Sequence, residues 1–89
     1  MNFASSATPE FWDMYRKLPV AVRNLARKTY LLWSREAFHP SLHFKKISGR
    51  KWSVRIGLHY RAVGAFEGEL FVWDWIGSHE AYNQLVKRL

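Results

Sequence analysis

The chain has 89 residues, 48% of them apolar, and 14 Lys or Arg against seven Asp or Glu, for a net charge of +7. That length suits one domain over residues 1–89, and the apolar share suits a real core, so neither a multidomain nor a disordered protein is expected. With no cysteine, disulfide frameworks, thiolate metal sites and thiol nucleophiles are excluded, and five Trp, four Tyr and six Phe supply the buried area instead.

The charge is concentrated. Residues 16–61 hold twelve Lys or Arg and one acid, Glu36, a block of +11, while both flanks are net acidic. Such a block repels itself, and the usual compensation is a polyanionic partner, either a nucleic acid or an acidic protein. Residues 1–8 lack the basic start and apolar run of a signal peptide. No stretch approaches the roughly 20 apolar residues of a membrane helix, so a soluble, cytoplasmic protein with no membrane partner is expected.

Thr8-Pro9-Glu10 reads as a helix start. Thr8 caps, Pro9 fits the first position, and Glu10 favours the positive end of the dipole. This helix runs to about Lys17 and ends at Leu18-Pro19. A second helix is expected over residues 20–36, with Val22, Leu25, Ala26, Thr29, Leu32 and Trp33 forming one apolar stripe. His39-Pro40-Ser41 closes this helical hairpin. The period then changes to two, and strands are expected over 42–47, 52–58, 60–66 and 70–76. Residues 48–51 and 67–69 form turns. Gly77-Ser78 leads into a short helix over 79–89. The expected fold is therefore α+β: an N-terminal helical hairpin packed on a four-stranded, mainly antiparallel sheet, with a short C-terminal helix.

Alternation aims the side chains. Trp52, Val54, Ile56 and Leu58 face the core, which turns Arg55 and His59 to the open face. Tyr60 and Ala62 pack inward and Arg61 outward. One of Lys45 and Lys46 points out. Trp73 and Trp75 fit the core, leaving Asp74 outside as the candidate partner of an arginine. His79 arrives from the chain end. A lysine, two arginines and an imidazole on rigid strands suit phosphodiester chemistry: guanidinium groups stabilise phosphate charge as it develops, and His moves protons near neutral pH. The four His do not share metal-ligand spacing, so no metal or other cofactor is expected. The five Gly form no phosphate-binding loop. The Trp residues are read as core rather than as base-stacking platforms.

The element order, together with Leu18-Pro19, His39-Pro40-Ser41-Leu42, Phe44-Lys45-Lys46-Ile47, Ser53-Val54-Arg55-Ile56, Tyr60-Arg61-Ala62 and Trp75-Ile76-Gly77-Ser78-His79-Glu80-Ala81-Tyr82, resembles the RelE/ParE superfamily of bacterial toxins over nearly the whole chain. The resemblance implies the toxin of a type II toxin–antitoxin system, neutralised in a hetero-oligomeric complex by a cognate antitoxin. RelE-like members are ribosome-dependent mRNA endonucleases that set a ribose 2′-hydroxyl against the adjacent phosphate without a metal. ParE-like members inhibit DNA gyrase, and a toxin fold can also bind RNA without cutting it. By resemblance, Lys45 and Lys46 match basic residues of the first strand, and Arg55 and Arg61 match phosphate-holding arginines. His79 and Tyr82 fall where nuclease branches place a residue for proton transfer or base stacking. Trp73-Asp74-Trp75 departs from RelE, which carries a basic residue on this strand.

Overall fold

The computed structural model describes residues 3–89. In chain order the elements are β1 (Ala4–Ala7), α1 (Pro9–Arg16), α2 (Val20–Arg35), a 3-10 turn (Pro40–Leu42), β2 (Lys45–Ser48), β3 (Lys51–Ile56), β4 (Tyr60–Glu67), β5 (Leu70–Ser78) and α3 (His79–Lys87). The strands form one sheet in the order β1-β5-β4-β3-β2. Strands β2 to β5 make the expected antiparallel meander. The sheet has five strands rather than four, because β1 pairs parallel to β5, from Ala4 opposite Leu70 to Ala7 opposite Trp73. Ala4-Ser5-Ser6-Ala7 carries no β-branched or aromatic residue, so its strand character comes from docking on the β5 edge and not from propensity.

The helix starts follow local chemistry. The Thr8 hydroxyl accepts from the Phe11 amide at 3.1 Å, and Pro9 opens α1. The Ser78 hydroxyl accepts from the Ala81 amide at 3.1 Å and caps α3. The hairpin of α1 and α2 covers one sheet face, where Trp33 and Phe71 are fully buried among Phe44, Trp73, Val54, Ile56 and Ile76. Phe71 and Trp73 meet nearly edge to face with ring centres 4.6 Å apart. Of the expected α2 stripe, Ala26 and Trp33 are buried, whereas Leu25 stays 40% exposed. Packing between α1, α2 and the sheet leaves a largely apolar cavity of about 390 Å³, lined by Phe11, Tyr15, Ala26, Trp33 and Trp73 among others.

Three expectations need correction. The first expected strand begins only at Lys45. Pro40 opens a 3-10 turn that buries Leu42, and His43 takes a left-handed conformation with φ 47°. The second expected strand stops at Ile56, because Gly57 has φ 58° and turns the chain; Leu58 is therefore 69% exposed, and His59 lies in a turn rather than on a strand face.

The third correction concerns Trp75. Gly64 pairs with Trp73 and Val63 with Trp75, so Asp74 is an extra residue, a β-bulge. The bulge resets the alternation. Phe71, Trp73 and Ile76 face the helical hairpin, while Trp75 turns to the opposite face, with its ring centre 6.4 Å from that of Tyr82 on α3. Trp75 is thus not part of the main core. Its face, expected to be partly open, is partly covered by α3.

Candidate functional site

The site grows out of the register of β2, β3 and β4. Lys45 stands opposite Ser53, Ser53 opposite Val63, and Arg55 opposite Arg61. Paired residues of an antiparallel ladder share a face, so Lys45, Ser53, Arg55 and Arg61 all belong to the face that α3 partly covers. Lys46 pairs with Trp52 and belongs to the other face. Of the two lysines, Lys45 alone joins the arginines.

Each guanidinium is oriented by the protein. Arg55 Nε donates to the Gly57 carbonyl at 3.0 Å, and its Nη1 lies 3.3 Å from His43 Nε2. Arginine has no acceptor, so the imidazole nitrogen accepts in this bond. Arg61 Nη1 donates to the Tyr60 carbonyl at 2.9 Å, and its guanidinium carbon lies 5.8 Å from the Tyr82 ring centre. Burial pushes the Arg61 pKa below its ordinary value, and the neighbouring positive charge of Arg55 adds to this, while Tyr82 acts in the opposite sense.

Tyr82 is 8% exposed, and its hydroxyl donates to Ser53 Oγ at 3.0 Å; Ser53 is itself 2% exposed. The ring thereby joins α3 to β3 and forms a floor beside Arg61. His79 opens α3. Its amide donates to the His59 carbonyl at 2.7 Å, and its Nδ1 accepts from Asn83 Nδ2 at 3.4 Å. The His79 and Tyr82 ring centres are 6.4 Å apart. Tyr82 thus lies near both the His79 ring and the Arg61 guanidinium, between helix and sheet.

Among the described residues no carboxylate is ion-paired with Arg55 or Arg61. Asp74, the expected partner for an arginine, pairs with Lys51. Among the described residues no group of three or more His, Cys, Asp or Glu is placed to hold a metal. What remains is a pair of oriented guanidinium groups with Lys45 on the same face, and guanidinium forks have the geometry to hold paired oxygens such as those of a carboxylate or a phosphate.

Sequence reasoning missed one participant. His43 enters through a bond to Arg55 made possible by its left-handed backbone, and it precedes the strand whose alternation was legible. Its identity alone carried a signal, since His is among the residues that tolerate this conformation.

A ParE-like toxin domain model matches residues 20–84. The chain belongs to that family. It is a toxin of the RelE/ParE type found in toxin–antitoxin systems. Among solved structures, the toxin of the RelB–RelE antitoxin–toxin complex from Methanococcus jannaschii is similar with a TM-score of 0.71 and 13% identity, over 89% of this chain and 95% of that one. The isolated E. coli RelE toxin gives 0.65 and 16%, over 97% of both chains. A YoeB/ParE toxin from Agrobacterium tumefaciens gives 0.68 and 18%, over 85% of this chain and 98% of that one. At these identities the likeness is one of fold. No curated protein sequence matches the toxin. None of its described helices is long and apolar enough to cross a membrane.

Proposed function

We propose that this toxin is an endoribonuclease that cuts mRNA on the ribosome and so inhibits translation. The observation that carries the reading is the Arg55–Arg61 pair, in register on an antiparallel ladder and, among the described residues, ion-paired to no carboxylate. Two like charges held face to face oppose folding and favour a bound anion.

The reaction that fits is attack of a ribose 2′-oxygen on the adjacent phosphorus. The P–O5′ bond breaks as the 2′-O–P bond forms, which leaves a 2′,3′-cyclic phosphate and a 5′-hydroxyl. Arg61 and Arg55 hold the non-bridging oxygens and stabilise the charge that grows on them in the transition state. Lys45 adds attraction for the backbone. His79 is the proton carrier, exchanging protons with the 2′-hydroxyl and the departing 5′-oxygen. Tyr82, held by Ser53, supports Arg61 and offers an aromatic edge.

The proposed regulator is an antitoxin. The Methanococcus jannaschii structure and another from Pyrococcus horikoshii are RelE–RelB complexes. An acidic antitoxin segment suits the basic block, and exposed Trp12 and Tyr30, which line the apolar cavity, suit its apolar side chains.

Primer extension on a reporter mRNA after induction, with and without translation, tests the proposal. Cuts that appear only in translated message support it. The ParE-like family match keeps gyrase inhibition as the second reading; intact message together with blocked supercoiling would replace the first reading by the second.

A further inference from the structure

Arg55 is held at two points. One is the Gly57 carbonyl, at the turn that follows its own strand; the other is the His43 ring nitrogen, 3.3 Å from Nη1. The carbonyl grips Nε, and the imidazole fixes the far end of the guanidinium, the end that would address a phosphate. His43 reaches this place through a left-handed backbone with φ 47°, between the buried Leu42 and the buried Phe44. Both neighbours are anchored in the core, so the imidazole is offered from a fixed point.

We infer that His43 is a positioning residue for Arg55 in the proposed cleavage, and that it serves only as the neutral imidazole. The inference rests on the mRNA-cleavage reading for its catalytic consequence and on the hydrogen bond alone for its structural one. Protonation removes the Nε2 lone pair, so the bond is lost, and it places a new positive charge beside a guanidinium. Both effects push Arg55 away. Arg55 on β3 faces Arg61 on β4, which lies over the Tyr82 ring, and Lys45, two residues beyond His43, shares their face. His59 lies in the β3–β4 turn, and its carbonyl accepts from the amide of His79, which opens α3. Among the described residues no carboxylate is bonded to His43 or Arg55 to offset the added charge.

Two substitutions separate the roles. His43→Gln places an amide oxygen close to the position of Nε2, so it accepts from Arg55 at every pH. His43→Asn tolerates the left-handed backbone but is too short to reach Arg55, which makes it a folded control without the bond. The structural readout is NMR of the Arg55 side-chain N–H signals, followed beside the ring signals of His43 as the pH is lowered. In the parent protein these signals should move together with the His43 ring titration. In His43→Gln they should stay in place, and in His43→Asn they should resemble the acid form throughout.

The catalytic readout is single-turnover cleavage on programmed ribosomes. His43→Gln should cut like the parent whose His43 ring is neutral and should lose whatever part of the pH dependence follows the His43 ring signals. His43→Asn should be slower by about tenfold with ribosome affinity unchanged. Arg55 signals that ignore the His43 titration, or a folded His43→Gln protein as slow as His43→Asn, would overturn the inference. If the parent itself cuts no message, the cleavage proposal fails, and the Arg55 signals alone decide whether His43 holds Arg55.

Discussion

Arg55 and Arg61 stand directly opposite each other across β3 and β4, both on the face beneath α3, and neither is ion-paired among the described residues. Arg61 bears the consequence. Its pKa is lowered, first by burial and then by Arg55, with Tyr82 acting in the other direction. A cation whose pKa is lower in the folded chain than in the unfolded one opposes folding while it is charged. The unfolded chain then binds that proton more readily, so stability from this group rises with pH only at the strongly alkaline values where arginine discharges. At neutral pH the penalty is fully present. Replacing the neighbour, Arg55→Gln, should therefore raise the melting temperature of the free toxin by about 2–4 °C, as expected for relief of about 0.5 kcal/mol in a chain of this size. Thermal melts with and without a polyanion check this. The polyanion should stabilise the parent more than Arg55→Gln, and a lower melting temperature for the variant would contradict the reading.

The two tryptophans of β5 should behave differently. Trp73 packs against Trp33 and Phe71 in the main core, with ring centres 5.0 and 4.6 Å away. Trp73→Ala should cost about 3–5 kcal/mol and largely unfold a domain with about 5 kcal/mol in total. Trp75 lies on the α3 face, so Trp75→Ala should cost less and should first loosen α3. Denaturant unfolding, paired with amide exchange in α3, distinguishes the two variants.

Gly64 marks the bulge. An added Cβ would lie 2.4 Å from a Phe71 ring carbon and 2.6 Å from the Val72 carbonyl oxygen, and the oxygen cannot rotate away. Gly64→Ala should destabilise by about 1–3 kcal/mol, the usual effect of overpacking. Chemical denaturation measures it. The strand pattern alone gave Gly64 no special place, since its role appears only once β5 is seen to carry an extra residue.

Tyr82 should prove to be a support. Tyr82→Phe keeps the ring beside Arg61 but leaves the buried Ser53 hydroxyl without its partner. A loss of about 1–3 kcal/mol in stability is expected, with cleavage falling far less than for an arginine variant. A Tyr82→Phe protein that melts like the parent yet cuts no message would instead make the hydroxyl a proton donor.

Most of the fold was legible because its signals are local. Thr8-Pro9 and Ser78 cap helices by their own chemistry, Pro19 separates α1 from α2, and alternation in β3 and β4 turned Arg55 and Arg61 to one face. What escaped depends on distant partners. Ala4–Ala7 becomes a strand only because the β5 edge receives it. Trp75 leaves the main core because a bulge at Asp74 breaks a period that sequence reading takes as unbroken. Asp74 meets Lys51 rather than an arginine for the same reason. His43 joins the site through a turn whose direction no periodic pattern encodes.

The measurement that bears most directly on the proposed activity is single-turnover cleavage by Arg61→Ala on programmed ribosomes, run beside thermal melts of the same protein. Arg61 is oriented by the Tyr60 carbonyl and the Tyr82 ring, and its fork geometry cannot be copied by a lysine. If it stabilises charge on the scissile phosphate, the folded variant should cut about a hundred- to a thousand-fold more slowly, with ribosome binding little changed. Full cleavage by a folded Arg61→Ala protein would contradict the endonuclease assignment.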